Sequence, residues 1–134
     1  MDETVSEEEP GGVLARRRRR LREALRGRGV AGYWAAPGPN LTYLGGVTAD
    51  GHERILGLFI GPEGDPVWVA PWNAAAQLAD LTRLPVEAWA DRDGPQAALR
   101  RVLAGRAPLA VDGHLPLRHF HEMSQGRPGR DRPG

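Results

Sequence analysis

Apolar positions along the chain fall into short blocks whose spacing alternates between helical and extended. From Val13 to about Arg26, Leu14, Leu21, Ala24 and Leu25 share one helical face, and Gly27 or Gly29 ends the segment. The run Arg16 to Arg20 interrupts this face. Successive residues circle a helix, so Arg18 lands between Leu14 and Leu21 on the apolar side. We expect the packed helix to start near Arg18; the alternative is that this side chain snorkels past the core edge. Val30 to Ala35 then suits a buried strand, broken by Pro37-Gly38-Pro39-Asn40. Asn40 is positioned to cap a helix of one or two turns through Tyr43 and Leu44, stopped by Gly45-Gly46.

Ile55–Ile60 and Val67–Ala70 flank the turn Gly61-Pro62-Glu63-Gly64-Asp65-Pro66, which predicts an antiparallel hairpin. Ile55–Ile60 is apolar on both faces and reads as a central strand covered on both sides. Asn73 is expected to cap a helix with Ala75, Leu78, Ala79 and Leu81 inward, ending before Pro85. Val86 to Trp89 follows as a strand. Pro95 opens a helix lined by Leu99, Val102 and Leu103 and stopped by Gly105. Leu109 to Val111 forms a last strand, and a final helix starts near Pro116. The order α-β-α-β-β-α-β-α-β-α predicts an α/β domain: a mixed β-sheet of about five or six strands with helices on both faces.

Composition narrows the folded part. Hydrophobic residues are 40% of the 134, and the shortfall lies at the ends. Residues 1–12 hold five acids and no aromatic residue, and 126–134 read GRPGRDRPG, so both are expected to be disordered tails around a domain at 13–125. The net charge of +1 implies no polyanion partner from composition. With no cysteine, disulfides, thiol nucleophiles and thiolate metal sites are excluded. No apolar run approaches the roughly 18 residues of a membrane span, and the acidic start is unlike a signal peptide. A cytoplasmic location is therefore expected, with no membrane partner.

Chemistry-bearing residues are few. His119 and His121 form an H-x-H preceded by Asp112 and His114. On a strand such a pair can share a metal, but on the helix expected after Pro116 residues two apart diverge, which favours solvated or capping histidines. Asp50-Gly51-His52-Glu53-Arg54 gathers acids, an imidazole and a guanidinium in one loop. The Arg16–Arg20 cluster suits phosphates, although Glu7–Glu9 upstream partly neutralise it and no recognition motif accompanies it. Nucleophile elbows and P-loops are absent from the sequence.

Arg20-Leu21-Arg22-Glu23-Ala24-Leu25-Arg26-Gly27-Arg28-Gly29-Val30-Ala31-Gly32, a strand, then Pro39-Asn40-Leu41-Thr42-Tyr43-Leu44-Gly45-Gly46 resembles the N-terminal domain of Xaa-Pro dipeptidases, aminopeptidases P and creatinases. Gly45 stands where that family usually has Thr. The hairpin arm Gly64 to Pro71 and the segment Ala110-Val111-Asp112-Gly113-His114 extend the resemblance to about residues 14–125. It implies a larger C-terminal domain in which two Asp, one His and two Glu bind two divalent metals such as Mn, Co or Zn. None of those five ligands has a counterpart here, so the resemblance implies no catalytic residue, metal or cofactor in this chain. The expectation is a stand-alone or truncated N-terminal domain of a metal-dependent Xaa-Pro peptidase, non-catalytic by itself. Its role would be dimerisation and substrate gating, with Asp50, His52 and Arg54 lent to the partner subunit's active-site mouth. Expected partners are a second copy, anchored through some of Trp34, Trp68, Trp72 and Trp89, or a peptidase catalytic domain. The alternative is an Arg-rich binding module for nucleic acid or an acidic protein.

Overall fold

The computed structural model describes residues 12–50 and 53–125. The expected tails, apart from Gly12, and His52 lie outside the described residues. Ten elements follow one another: α1 (Gly12–Arg28), β1 (Gly32–Ala35), α2 (Pro39–Gly45), β2 (Gly57–Ile60), β3 (Val67–Pro71), α3 (Trp72–Thr82), β4 (Val86–Trp89), α4 (Gln96–Leu103), β5 (Leu109–Val111) and α5 (Leu117–Gln125). The order is the one the apolar periodicity predicts. The strands form a single five-stranded sheet in the spatial order β4-β3-β2-β1-β5.

The pairing has one consequence for everything that follows. β2 runs antiparallel to both neighbours, whereas β1 pairs β5 and β3 pairs β4 in parallel. Four strands therefore point one way, and their carboxyl ends meet the lead-in of β2 along one rim of the sheet. β2 is buried throughout, as its two-sided apolar run requires.

Alternation along the strands sorts the core into two layers. Trp34, Phe59 and Val69 face α4 and α5 and pack with Leu99, Val102, Leu103 and Met123. Ala35, Leu58, Ile60, Trp68 and Ala70 face the other way and pack with Leu41, Leu44 and Leu78. Glycines make room for the largest rings. A Cβ on Gly57 would lie 2.4 Å from the Trp34 indole, and one on Gly32 would lie 2.3 Å from the Phe59 ring.

The first helix departs from expectation. It begins at Gly12 rather than near Arg18, and Arg18 is half-buried with Nε donating to the Leu44 carbonyl at 2.8 Å. The snorkelling alternative is the one realised. Arg17 Nη1 donates to the Tyr43 carbonyl at 2.8 Å with its guanidinium 4.2 Å from the Tyr43 ring centroid. These two cations meet the carbonyl-rich end of α2, where positive charge is favoured. One and two turns further on, Arg22 donates to the carbonyls of Gly61 (3.2 Å) and Gly64, and Arg26 to that of Pro62 at 2.6 Å. Burial lowers the Arg18 pKa, the neighbouring Arg22 adds to this, and Asp65 opposes it.

Neither predicted Asn cap forms. Gly38, with φ 150°, precedes α2, and Asn40 lies inside the helix with its side chain drawn to Tyr33 and Asp112. Pro71 precedes α3, which starts at Trp72, one residue before Asn73. Pro95 sits just before α4 rather than in its first turn.

Gly57→Ala should lower the unfolding free energy by about 1–3 kcal/mol, the usual cost of overpacking a filled core. Gly27→Ala, which meets nothing within 4 Å in α1, should raise it by up to about 1 kcal/mol. Urea denaturation of the two variants beside the parent measures both.

Candidate functional site

Polar groups collect on the rim where the carboxyl ends of β1, β3, β4 and β5 meet the lead-in of β2. In open α/β sheets this is the edge at which ligands are commonly held. At one end of the rim lies Asp112, only 2% exposed. Its oxygens accept from the Ala36 amide at 3.2 Å, Asn40 Nδ2 at 3.3 Å, and the His114 amide at 3.0 Å. His114 Nδ1 is a further 3.2 Å donor, and Asn40 Nδ2 also reaches the Tyr33 hydroxyl at 3.3 Å. The Asp112 amide donates to the Trp34 carbonyl at 3.0 Å, extending the β1–β5 ladder by one step.

At the other end, the loop before β2 meets the segments that follow β3 and β4. Asp50, Glu53 and Arg54 line a cavity of about 290 Å³ with Leu56, Pro71 and Asn73. Arg54 Nη2 pairs with Asp91 Oδ2 at 2.6 Å. Both side chains are largely solvated, so the pair contributes at most about 1 kcal/mol and serves to orient the loop. Trp89 fixes the same loop from below, its Nε1 donating to the Ile55 carbonyl at 3.1 Å. Trp72, 70% exposed at the start of α3, stands beside Trp89 over an alanine-floored cleft of about 540 Å³ formed by Ala88, Ala90, Ala97 and Ala98.

The two ends are joined by α5. His119 is 2% exposed, and its Nε2 lies 3.2 Å from the Glu53 carbonyl. A carbonyl only accepts, so Nε2 carries the proton. The expectation of solvated or capping histidines therefore fails for His119, which is a buried brace, and holds for exposed His121. The H-x-H is split across the helix. Among the described residues no three His, Asp or Glu side chains are grouped to hold a metal. Asp112 already spends its oxygens on protein donors, so these residues do not fit a dinuclear metal site.

Of the loop residues singled out from the sequence, Asp50 and Arg54 come together in one cavity, and His52 lies outside the described residues. Asn73, Asp91 and Trp72 were not singled out for chemistry. Their signal is positional: each directly follows, or nearly follows, a parallel strand. Among the described residues no helix is long and apolar enough to cross a membrane.

The rim affects titration at one residue. Burial raises the Tyr33 pKa above 10, the charge of Asp112 raises it further, and the Asn40 hydrogen bond partly opposes this. The folded state thus holds the phenol proton more tightly than the unfolded chain. The resulting stability is full below pH 10 and is lost as pH rises through the folded pKa. In an ultraviolet titration, the component removed by Tyr33→Phe should titrate above pH 10, and Asp112→Asn should move it down.

The family model described as "Creatinase/Prolidase N-terminal domain" matches residues 17–131. Probable dipeptidase PepE of Mycobacterium tuberculosis and that of Mycobacterium bovis are each 35% identical over 118 residues, covering 81% of this chain. This chain spans only about 30% of those curated relatives. The crystal structure of dipeptidase PepE from Mycobacterium ulcerans superposes with a TM-score of 0.76 at 31% identity, covering 87% of this chain and 33% of that one. The creatinase/prolidase N-terminal domain of an X-Pro dipeptidase from Streptococcus pyogenes shares the fold, with a TM-score of 0.71 at 23% identity over 81% of this chain and 86% of that one. The chain belongs to the creatinase/prolidase N-terminal domain family.

Proposed function

We propose that this chain acts as the non-catalytic N-terminal domain of a metal-dependent Xaa-Pro dipeptidase-like peptidase in the cytoplasm, contributing to dimerisation and to gating of peptide substrates. The observation that carries this reading is the gathering of Asp50, Glu53 and Arg54 in one cavity on the carboxyl-end rim, in a chain of this family. Charged groups there are solvated and paired rather than stripped of water. Arg54 and Asp91 retain 45% and 65% exposure, which suits recognition of a polar chain end better than proton transfer in a closed site. Trp72 beside this cavity supplies a large, rigid contact for a second copy. The rival reading, α1 as a nucleic-acid or acidic-protein module, is weakened because Arg17, Arg18, Arg22 and Arg26 are engaged by backbone carbonyls of the domain itself.

Purified chain incubated with Mn²⁺ and a Xaa-Pro dipeptide should give no turnover above background, and light scattering should report a dimer that Trp72→Ala weakens. Turnover that survives repurification but disappears in His119→Ala or His121→Ala would overturn the non-catalytic reading. A clean monomer at high concentration would remove the assembly role.

A further inference from the structure

The alanine-floored cleft is explained neither by the polar rim nor by the two core layers. It opens between β4, the edge strand of the sheet, and the start of α4. Ala88, Ala90, Ala97 and Ala98 line it, and no larger aliphatic side chain does. Its volume of about 540 Å³ falls within the roughly 300–1,000 Å³ usual for small-ligand sites. Two indoles complete the lining. Trp89 is fixed by its Nε1 hydrogen bond to the Ile55 carbonyl, whereas Trp72 is largely exposed and meets no acceptor among the described residues. Flat apolar walls of this kind favour a planar ring, which stacks on indole faces and buries them.

The polar groups of the cleft give the sign of its occupant. Arg92 and Arg101 line it against one acid, Asp93. Arg101 Nε donates to Glu87 Oε1 at 2.7 Å, and Arg92 Nε lies 3.9 Å from Asp93 Oδ2, beyond hydrogen-bond reach. No described residue accepts from the Nη groups of either guanidinium. The segment bearing Arg92 is ordered, because the amides of Asp93 and Gly94 both donate to the Ala90 carbonyl, at 3.0 and 2.9 Å, and Asp91 holds Arg54. Ala97 and Arg101 are four residues apart in α4, so they share one face of that helix. A planar guanidinium with unspent Nη donors matches a carboxylate.

We propose that this cleft binds a small aromatic carboxylate, its ring on the alanine floor beside Trp72 and Trp89 and its carboxylate at the Arg92 and Arg101 guanidinium groups. A free aromatic acid and the C-terminal aromatic residue of a peptide both present this chemistry. The inference does not rest on the peptidase reading.

The test is an amide and indole NMR titration of the full chain with 2-naphthoate and with its neutral counterpart 2-naphthamide. Saturable shifts are expected at the Trp72 indole, at Ala88–Gly94 and at Ala97, with 2-naphthamide binding roughly fivefold more weakly, as for loss of a partly solvated ion pair. Ala97→Leu fills the cleft from an exposed helical position that leucine suits, so it should fold like the parent and weaken both probes by at least about tenfold. The double variant Arg92→Gln, Arg101→Gln should weaken 2-naphthoate to the level of 2-naphthamide and leave 2-naphthamide unchanged. All these variants keep Trp72, so their outcome is separate from that of the proposed dimer contact. Gly-Gly-Phe and its C-terminal amide identify the source: binding of the free peptide alone supports a chain end, and binding of 2-naphthoate without the peptide supports a free acid. No saturable shift at millimolar probe, equal affinity for the two naphthalenes, or unchanged binding in a folded Ala97→Leu variant would overturn the proposal.

Discussion

A carboxylate buried to 2% exposure persists only where protein donors replace water, and Asp112 obtains its donors from two connections far apart in sequence. The Ala36 amide lies 76 residues upstream in the turn that leaves β1 and Asn40 lies 72 residues upstream in the first turn of α2, while His114 lies in the turn that leaves β5. One side chain thus ties the exits of the two parallel strands together. From there α5 carries His119 to the Glu53 carbonyl, which positions the lead-in of β2 and the loop bearing Asp50 and Arg54. The rim proposed as functional is therefore a continuous polar frame laid over an apolar sheet.

The opposite edge of the domain is held by different means. α1 supplies Leu25 to the core, but much of its attachment is a row of guanidinium groups on backbone carbonyls. Hydrogen bonds from charged donors are stronger than neutral ones, and the carbonyls at a helix end or tight turn lack partners of their own. Long side chains that bridge from a half-apolar helix to such carbonyls allow Arg18 to sit where periodicity asks for leucine. The same geometry leaves the outer cations without partners among the described residues.

Element order and the two-sided burial of β2 were legible because periods of two and 3.6 are local properties of the chain. Ile55–Ile60 and Val67–Ala70 around a Gly/Pro turn could hardly be anything but a hairpin. The polar frame was less legible because its contacts span tens of residues. Asn40 has the sequence signature of a cap, and its recruitment by Asp112 depends on strand pairing that no local window contains. His119 and His121 look equivalent in sequence, and only the packing of α5 against the β2 lead-in separates the buried brace from the exposed ring. Within the candidate site, the charged loop was visible as a cluster. Asn73 and Asp91 became relevant only once β3 and β4 were known to end beside it.

The most direct test of this account is the behaviour of Asp112→Ala in urea denaturation combined with amide hydrogen exchange. Leaving the Ala36 amide, the His114 amide and Asn40 without their acceptor should cost about 1–3 kcal/mol. Protection at Ala36 should fall with it, and faster exchange should spread along the α5 contact to the β2 lead-in. Unchanged stability with full protection at Ala36 would contradict the claim that this carboxylate frames the rim.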